Sequence, residues 1–246
     1  MTSRIAVVTG GIGGLGTEIC RHLARSGHRV VAADLGARSE RIEAFLAETA
    51  DDAITFEPID VADHADCAQT FTRIEAKHGP VSVLVNAAGI TRDTSLRKMG
   101  LQQWNDVLRV NLDSVFNTCK AVVDGMVERG YGRIVNLSSV NGQTGQFGQT
   151  NYSAAKAGMH GFTMALAREV ARKGVTVNSV SPGYCATALV MAVPAEVRAD
   201  IVSRIPAGRL GEPAEIARTV DFLCAEGSGY ITGANIPVNG GYFMDF

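Results

Sequence analysis

The hydrophobic residues of this chain fall into short apolar runs that alternate with longer amphipathic stretches. Runs such as 5–8, 28–34 and 81–85 have the length and β-branched content of buried strands. The stretch 17–26 instead repeats its apolar residues with a helical period, and Gly27 ends it. Candidate strands separated by candidate helices continue in this way to the end, at 4–9, 28–34, 53–59, 80–85, 132–138, 175–180 and 234–238.

This alternation predicts an α/β fold: one doubly wound parallel sheet of about seven strands, with helices on both faces. No linker, internal repeat or low-complexity segment divides the chain, so a single domain is predicted over 1–246, with the helical stretch 188–205 as a candidate substrate lid. Ligands of such sheets bind outside the carboxyl ends of the strands. Five polar or turn residues fall at these ends: Asp34, Asp60, Asn86, Ser139 and Pro182.

Composition narrows the function classes. The 246 residues are 46% hydrophobic, enough for a sizeable core, and 23 Lys and Arg nearly balance 25 Asp and Glu. Without a basic or acidic block, nothing points to nucleic acid or to an anionic membrane surface. No apolar run has the length of a signal-peptide core or a membrane span. The five cysteines and five histidines lack metal-ligand spacing. We therefore expect reduced thiols, no metal and a cytoplasmic location.

A glycine-rich loop at 9–16 carries the first chemical signal. It follows a strand, opens a helix and precedes by about 20 residues an acid at the end of the next strand, Asp34. This pattern predicts dinucleotide binding, with the pyrophosphate at the helix N-terminus. A carboxylate at Asp34 can accept hydrogen bonds from the adenosine ribose and would repel a 2′-phosphate, which favours NAD over NADP. Arg38 and Arg41 follow closely and could instead reach a phosphate.

A second signal is Tyr152 with Lys156, four residues apart at the start of a predicted helix 151–173. The two side chains share one helix face, and a fixed ammonium is expected to lower the pKa of the phenol. Such a phenol can exchange a proton with a substrate oxygen. Ser139 ends the preceding strand, and the polar loop 141–150 looks like a substrate wall. Asn111, in the middle of a predicted helix 101–129, suggests a special role.

Together these residues resemble the short-chain dehydrogenase/reductase family over essentially the whole chain. The matching positions are Gly10, Gly14, Gly16, the loop 86–89, Asn111, Ser139, Tyr152, Lys156 and the pair Pro182-Gly183. Finer features resemble the acetoacetyl-CoA reductases of polyhydroxybutyrate synthesis and separate the chain from the related β-ketoacyl-ACP reductases. They lie in the segments 89–93, 136–152, 161–167 and 181–184.

The resemblance implies a role for each matching residue. Ser139 would hydrogen-bond the keto oxygen, Tyr152 would act as general acid, Lys156 would lower the Tyr152 pKa and hold the ribose, and Asn111 would tether a water relay. Besides Tyr152, Lys156 and Asp34, the implied cofactor-binding residues are Gly10, Ile12, Gly13, Gly14, Leu15, Gly16, Asp60, Val61, Asn86, Ala87, Ala88, Gly89, Pro182, Gly183, Cys185 and Thr187. The implied substrate-binding residues are Asp93, Ser139, Gln146, Phe147, Gln149, Thr150 and Tyr184.

The implied activity is NAD(P)H-dependent reduction of a 3-oxoacyl-CoA, namely acetoacetyl-CoA to (R)-3-hydroxybutyryl-CoA. The best-known relatives use NADPH and lack an acid at the position of Asp34, so we predict NADH as the preferred donor and NADPH as the alternative. The resemblance also implies a homotetramer. The apolar tail residues Tyr242, Phe243 and Phe246 could pack against a neighbouring subunit or cover their own core.

Three other functions are weighed against this one. A 3-oxoacyl-ACP reductase of fatty-acid synthesis would use the same chemistry on another carrier. A non-catalytic nucleotide sensor could share the fold, although such proteins would be expected to lose catalytic groups. A dehydrogenase of a free hydroxy acid would need a fixed cation in its pocket. The loops 143–150 and 184–191 contain no Lys or Arg, which favours a neutral thioester.

Overall fold

The computed structural model describes residues 3–37, 39–50 and 52–244, so Arg38 and Phe246 lie outside the described residues. Within these ranges seven strands form one parallel sheet: β1 Ile5–Thr9, β2 Arg29–Asp34, β3 Ile54–Pro58, β4 Val81–Asn86, β5 Gly132–Leu137, β6 Val175–Pro182 and β7 Asn235–Val238. Their spatial order is β3-β2-β1-β4-β5-β6-β7. The predicted doubly wound parallel sheet is confirmed.

Helices connect the strands, and several bounds differ from the sequence-based expectation. The described helices are α1 Gly14–Arg25, α2 Ser39–Glu48, α3 His64–His78, α4 Leu101–Leu108, α5 Ser114–Glu128, α6 Asn141–Thr144, α7 Thr150–Val170, α8 Ala188–Met191, α9 Ala195–Ser203 and α10 Pro213–Cys224. The long helix predicted at 101–129 is interrupted by a π-helical turn, Arg109–Asp113. The predicted loop 141–150 contains α6, and 188–205 holds two helices. No helix in the described ranges could cross a bilayer.

Side chains alternate across the strands, so the sheet has an apolar core on each face. Val7, Leu84 and Ile134 face one core, which α3, α5 and α7 cover. Val8 and Val83 face the other core, beneath α1, α2 and α10. Both layers are apolar and rich in β-branched residues, as expected for parallel strands buried on two sides. This packing leaves the two ends of the sheet, rather than its faces, for ligands.

The carboxyl-end crevice lies where the direction of winding changes. β1 pairs with β2 on one side and with β4 on the other, and Thr9 is in register with Asn86. The loops that leave β1 and β4 therefore diverge to opposite faces of the sheet and open a crevice between them. This topological switch point brings the glycine-rich loop beside the 86–89 loop, as the sequence predicts.

At the opposite end of the sheet, a buried arginine joins three chain segments. The guanidinium of Arg133, 4% exposed, donates to the carbonyl oxygens of Gly132, Gly174, Ala225 and Glu226 at 2.9–3.3 Å. Each of these carbonyls would lose a partner if the guanidinium were removed, and unsatisfied buried polar groups are costly. The Arg133 side chain therefore anchors the segments after α7 and α10 to the sheet.

Replacement of Arg133 by Leu is expected to lower the free energy of unfolding by about 3 kcal/mol, because several carbonyls lose a donor at once. Arg172→Leu is the matched control, since Arg172 is exposed and its replacement is expected to change stability by less than about 0.5 kcal/mol. Chemical denaturation of both variants provides the measurement. If the free energy of unfolding fell equally in the two variants, the anchoring role of Arg133 would be contradicted.

Candidate active site

The structure brings together the side chains of Ser139, Tyr152 and Lys156 at the carboxyl end of β5. Ser139 lies two residues beyond the strand, and the other two lie on the first turns of α7. The Ser139 hydroxyl lies close enough to the Tyr152 phenol to lower its pKa. The Lys156 ammonium lies 5.6 Å from the centroid of the Tyr152 ring. A proton donor, a second hydroxyl and a cation therefore share one end of the sheet.

The ionisation of Tyr152 differs from the expectation. Burial of the phenol raises its pKa above the usual value of 10.0; the hydrogen bond from Ser139 lowers it in part, and the Asp93 carboxylate raises it further. The net lowering of the Tyr152 pKa that the sequence led us to expect is therefore not found: the pKa is raised, and burial is the largest cause. The cost of removing water from a phenolate exceeds the stabilisation that the Lys156 ammonium could give, because that ammonium is directed to the Leu137 carbonyl. In this state the phenol keeps its proton at neutral pH, as a general acid must.

Lys156 is held by the backbone of the central sheet. Its Nζ atom donates to the carbonyl oxygen of Leu137 at 2.6 Å. The side chain is 4% exposed, and burial lowers the pKa of its ammonium to about 8. A lysine in this state carries its charge at neutral pH and is fixed in place by a strand end.

Asn111 lies across from Lys156, on the π-helical turn. An ideal Cβ at Gly89 would lie 2.7 Å from Asn111 Oδ1 and 3.7 Å from Lys156 Nζ, so both atoms approach the same glycine. The Asn111 amide nitrogen donates to the carbonyl oxygens of Ile90 and Val107, both at 2.9 Å. Its Oδ1 atom is buried without a hydrogen-bond partner among the described residues. π-Helical turns are frequent at functional sites, and this one places a fixed acceptor beside Gly89, which Lys156 Nζ also approaches.

The glycine-rich loop packs directly against the 86–89 loop. Gly10 has φ +65°, and a Cβ there would lie 2.7 Å from the backbone nitrogen of Ala88. Across the loop, a Cβ at Gly14 would lie 3.3 Å from Thr187 Cβ. A side chain at Gly10 or Gly14 would therefore meet these neighbouring segments. A slot of this kind suits a flat, extended ligand that must approach the backbone closely.

The N-terminus of α1 opens at this slot. The N-cap residue, Gly13, makes no side-chain capping bond, and Gly14, Leu15 and Gly16 form the first turn. The N–H groups of a first helical turn have no intrahelical acceptor, and the helix dipole favours an anion beside them. The Ile12 side chain is fully buried in the core beneath α1, which keeps the loop anchored. The donors present fit a pyrophosphate.

Arg41 holds the glycine-rich loop from outside. Its Nε atom donates to the Ile12 carbonyl oxygen at 2.8 Å, and Nη2 donates to Thr17 Oγ1 at 3.1 Å. Nη1 pairs with Glu48 Oε1 at 3.1 Å. The guanidinium, one of the two cations considered for phosphate binding, is thus engaged with the loop backbone and with a carboxylate.

Asp34 at the end of β2 and Asp60 two residues after β3 lie in tight turns. Asp34 Oδ1 accepts the Leu35 N–H at 2.8 Å. Asp60 Oδ1 accepts the Ala62 N–H at 2.9 Å. Val61 is 7% exposed and packs into the core. β3 ends at Pro58, so Asp60 and Val61 follow the strand rather than end it.

The side chain of Asn86 points into the protein. Its Nδ2 atom donates to Asn136 Oδ1 at 2.9 Å, and Oδ1 accepts the Thr118 hydroxyl at 2.8 Å. The Asn136 amide in turn donates to Thr163 Oγ1 at 2.9 Å. This buried network ties β4 and β5 to α5 and α7. Asn86 can therefore face a ligand only through its backbone, together with Ala87, Ala88 and Gly89.

The segment after β6 closes the other side of the crevice. The Pro182 carbonyl accepts the Val140 N–H at 2.9 Å, and the Gly183 N–H donates to the Val238 carbonyl at 2.9 Å. Cys185 is 5% exposed, and burial raises the pKa of its thiol to about 11. Its thiol faces the core, so only its backbone is available to a ligand. Thr187 is the N-cap residue of α8, opposite Gly14.

The predicted substrate residues lie around the mouth of the crevice. Gln149 Nε2 donates to Asp93 Oδ2 at 2.8 Å, and the Tyr184 ring packs edge-on against Tyr242 at 5.6 Å between centroids. The Phe147 side chain is 90% exposed. Gln146 and Thr150 flank this segment, with the Gln146 carbonyl accepting the Gln149 N–H and Thr150 Oγ1 contacting Met99 Sδ at 3.7 Å.

Sequence reasoning missed Asn141. Its amide nitrogen donates to Gln149 Oε1 at 2.9 Å, and its backbone N–H donates to Ser139 Oγ at 3.1 Å. The one available signal was a polar residue two positions after Ser139, in a segment assigned to a loop. Among the described residues, no group of three or more His, Cys, Asp or Glu is arranged to hold a metal.

Comparison with known proteins decides the family. A family model described as enoyl-(acyl carrier protein) reductase matches residues 10–243. The chain is 55% identical over 246 residues to the acetoacetyl-CoA reductase of Allochromatium vinosum, covering 98% of this chain and 99% of that one. The chain belongs to the short-chain dehydrogenase/reductase family.

The chain is also similar in sequence to two further members of the short-chain dehydrogenase/reductase family. It is 54% identical over 248 residues to the acetoacetyl-CoA reductase of Cupriavidus necator, covering 99% of this chain and all of the relative. It is 41% identical over 245 residues to the 3-oxoacyl-[acyl-carrier-protein] reductase FabG of Haemophilus influenzae, covering 99% and 100%. The chain is an oxidoreductase of this family, and its glycine-rich loop and the N-terminus of α1 fit the nicotinamide cofactor that the family uses.

Proposed function

We propose that this protein reduces acetoacetyl-CoA to (R)-3-hydroxybutyryl-CoA, with NADH as the preferred nicotinamide donor. The observation that carries the proposal is the Ser139 hydroxyl beside the Tyr152 phenol, next to a buried Lys156 at the mouth of the glycine-lined crevice. The substrate class is supported by the names of the two relatives that are 55% and 54% identical over nearly the whole chain.

The hydroxyl groups of Ser139 and Tyr152 both act on the keto oxygen of the substrate. The cofactor, when bound, supplies the hydride to the keto carbon. Negative charge then grows on the keto oxygen and needs donors already in position. Ser139 donates a hydrogen bond that positions this oxygen, and Tyr152 transfers its proton to it. The raised pKa of Tyr152 keeps that proton available at neutral pH.

Lys156 and Asn111 support the proton transfer. The Lys156 ammonium, held by the Leu137 carbonyl, stabilises the phenolate that remains after Tyr152 has donated and holds the ribose. Asn111 Oδ1, which has no hydrogen-bond partner within the described ranges, accepts from a water that returns a proton from solvent. A buried acceptor without a donor is costly, so a water at this position also satisfies the amide.

The preference for NADH rests on charge at the adenosine end. Asp34 ends β2 beside the loop, where a carboxylate favours ribose hydroxyls and repels a 2′-phosphate. The Arg41 guanidinium donates to Ile12 and Thr17 and pairs with Glu48, which leaves it poorly placed to neutralise an added phosphate. The charges at the adenosine end therefore favour NADH, which has no 2′-phosphate.

Initial rates of acetoacetyl-CoA reduction with NADH and NADPH at matched concentrations test both parts of this proposal. The wild type is expected to prefer NADH, and Asp34→Gly is expected to shift the preference towards NADPH by about tenfold, because one close repulsion is removed. Glu43→Gln removes the same charge from an exposed position on α2 and is expected to leave the preference unchanged. A wild-type preference for NADPH would overturn the cofactor assignment.

A 3-oxoacyl-ACP reductase is the second candidate, supported by the 41% identical relative from Haemophilus influenzae. The two activities share every step at the keto carbon and differ in the carrier. Turnover on CoA and ACP thioesters of the same acyl chain separates them, since a preference for ACP would reject the CoA assignment. A nucleotide sensor is disfavoured because Asn111, Ser139, Tyr152 and Lys156 are all present and close together.

The remaining features of the proposal concern the protein as a whole. α8 and α9 form a lid that closes over the acyl chain, and the enzyme is a cytoplasmic homotetramer. The five cysteines are buried free thiols, which suits a reducing compartment. Tyr242 packs edge-on against Tyr184, which places this part of the C-terminal tail beside a proposed substrate residue.

A further inference from the structure

A chain of hydrogen bonds runs from Asp93 to Ser139 along the mouth of the site. Asp93 Oδ2 accepts from Gln149 Nε2 at 2.8 Å, and Gln149 Oε1 accepts from Asn141 Nδ2 at 2.9 Å. The Asn141 backbone N–H then donates to Ser139 Oγ at 3.1 Å. We refer to Asp93, Gln149 and Asn141 as the amide relay. It links the segment around Asp93 to the segment 139–149.

The direction of the amide relay is fixed at one end. A carboxylate only accepts hydrogen bonds, so Asp93 requires the NH₂ group of Gln149 to face it. The Gln149 oxygen must then face Asn141, and Asn141 must present its own NH₂ group in return. Asn141 Oδ1 is consequently turned away and is buried without a partner among the described residues. If the oxygen and nitrogen of either side-chain amide were exchanged, two acceptors or two donors would face each other in the amide relay.

The backbone holds the same contacts in place. The Thr94 N–H donates to the Gly148 carbonyl at 2.8 Å, which keeps Asp93 beside Gln149. Asn141 opens α6 and is 8% exposed, so its side chain cannot simply turn out to solvent. The relay therefore sets where α6 begins, and with it the position of the Asn141 N–H at Ser139.

The contact with Ser139 decides which way that hydroxyl points. Because Ser139 Oγ accepts the Asn141 N–H, one of its lone pairs is occupied, and its proton is left to be donated towards the site. We infer that Asn141 is a positioning residue of the proposed reduction: anchored by Asp93 through Gln149, it holds the Ser139 hydroxyl as a donor to the keto oxygen. The inference rests on the proposed function and adds to it a residue that does not touch the substrate.

A reversal of the relay tests this inference. In Asn141→Asp an acceptor faces Gln149, and neither orientation of Gln149 satisfies both of its neighbours. In the double variant Asp93→Asn with Asn141→Asp, the net charge of the wild type is kept and every hydrogen bond can form with the opposite direction. The single variant Asn141→Asp is expected to lower kcat about tenfold with NADH affinity unchanged, because Ser139 acts on the transition state. The double variant is expected to return kcat to within about threefold of the wild type.

Recovery in the double variant distinguishes positioning from local packing, which would not respond to a distant exchange of Asp for Asn. Wild-type kcat in Asn141→Asp, or no recovery in the double variant, would overturn the inference. Should Asn141→Asp fail to fold, Gln149→Met removes the middle of the relay without adding charge and is expected to lower kcat to a similar extent. Wild-type kcat in that variant would equally reject the role.

A stability cycle separates this inference from the proposed function. Thermal midpoints of the wild type, both single variants and the double variant, measured without cofactor or substrate, should show the same recovery. If the wild type does not reduce acetoacetyl-CoA, the proposed function fails, and the four proteins are then compared on a 3-oxoacyl-ACP thioester. Additive changes in the midpoints would reject the relay itself, whatever the substrate.

Discussion

Replacement of Tyr152 by Phe is expected to lower kcat for acetoacetyl-CoA reduction by about 1,000-fold, because the variant loses the general acid and one donor to the keto oxygen. The ring can keep its place on α7, 5.6 Å from the Lys156 ammonium, so the dissociation constant for NADH is expected to stay within about twofold. Steady-state kinetics and a fluorescence titration with NADH measure the two quantities separately.

Tyr230→Phe is the matched control for this prediction. Tyr230 is fully exposed, so its variant removes the same atom from the protein far from the crevice and is expected to retain wild-type turnover. Retention of more than about a tenth of the activity in Tyr152→Phe would exclude Tyr152 as the proton donor. Ser139, whose hydroxyl lies beside the phenol, would then become the first alternative donor to examine.

The fold and the convergence of the site follow from features that are local in the sequence. Apolar runs of strand length, separated by helical periods, leave few arrangements other than a parallel sheet with both faces covered. In such a sheet every strand ends at the same edge. The positions of Asp34, Asn86 and Ser139 at strand ends therefore predicted that they meet at one crevice, and the register of β1 with β4 explains why.

Side-chain direction and ionisation could not be derived in the same way. Spacing predicts that Tyr152 and Lys156 share a helix face, but the pKa of Tyr152 depends on how much water the surrounding loops exclude. Asn86 turns inward because Thr118 and Asn136, from other elements, offer it partners. Both outcomes are set by residues distant in sequence, which a local pattern does not contain.

The sequence gives a partial signal for Asn111 and none for Asn141. A polar residue in the middle of a helix indicated that Asn111 is special, yet the π-helical turn that aims it depends on contacts with Ile90 and the 86–89 loop. Asn141 gave no comparable signal, because a polar residue in a polar loop is ordinary. Its connection through Gln149 to Asp93 becomes visible only when two distant chain segments are brought together.

Gly16→Ala is expected to weaken NADH binding by about 100-fold and to lower the free energy of unfolding by about 3 kcal/mol. An ideal Cβ at Gly16 would lie 2.1 Å from the carbonyl oxygen of Gly10 and 2.9 Å from Gly11 Cα. These are backbone atoms and cannot move aside alone, so the turn and the first N–H groups of α1 must shift together. Both the packing of the loop and its donors to the pyrophosphate are lost.

Gly227→Ala provides the comparison for Gly16→Ala, because a Cβ at Gly227 meets no atom within 4 Å and the residue is exposed. This variant is expected to match the wild type in NADH affinity and to change stability by less than about 0.5 kcal/mol. Affinity from NADH fluorescence and stability from chemical denaturation are measured on both proteins. Tight NADH binding by Gly16→Ala would mean that the cofactor does not use this turn, and the site would then have to be sought away from the β1–β4 crevice.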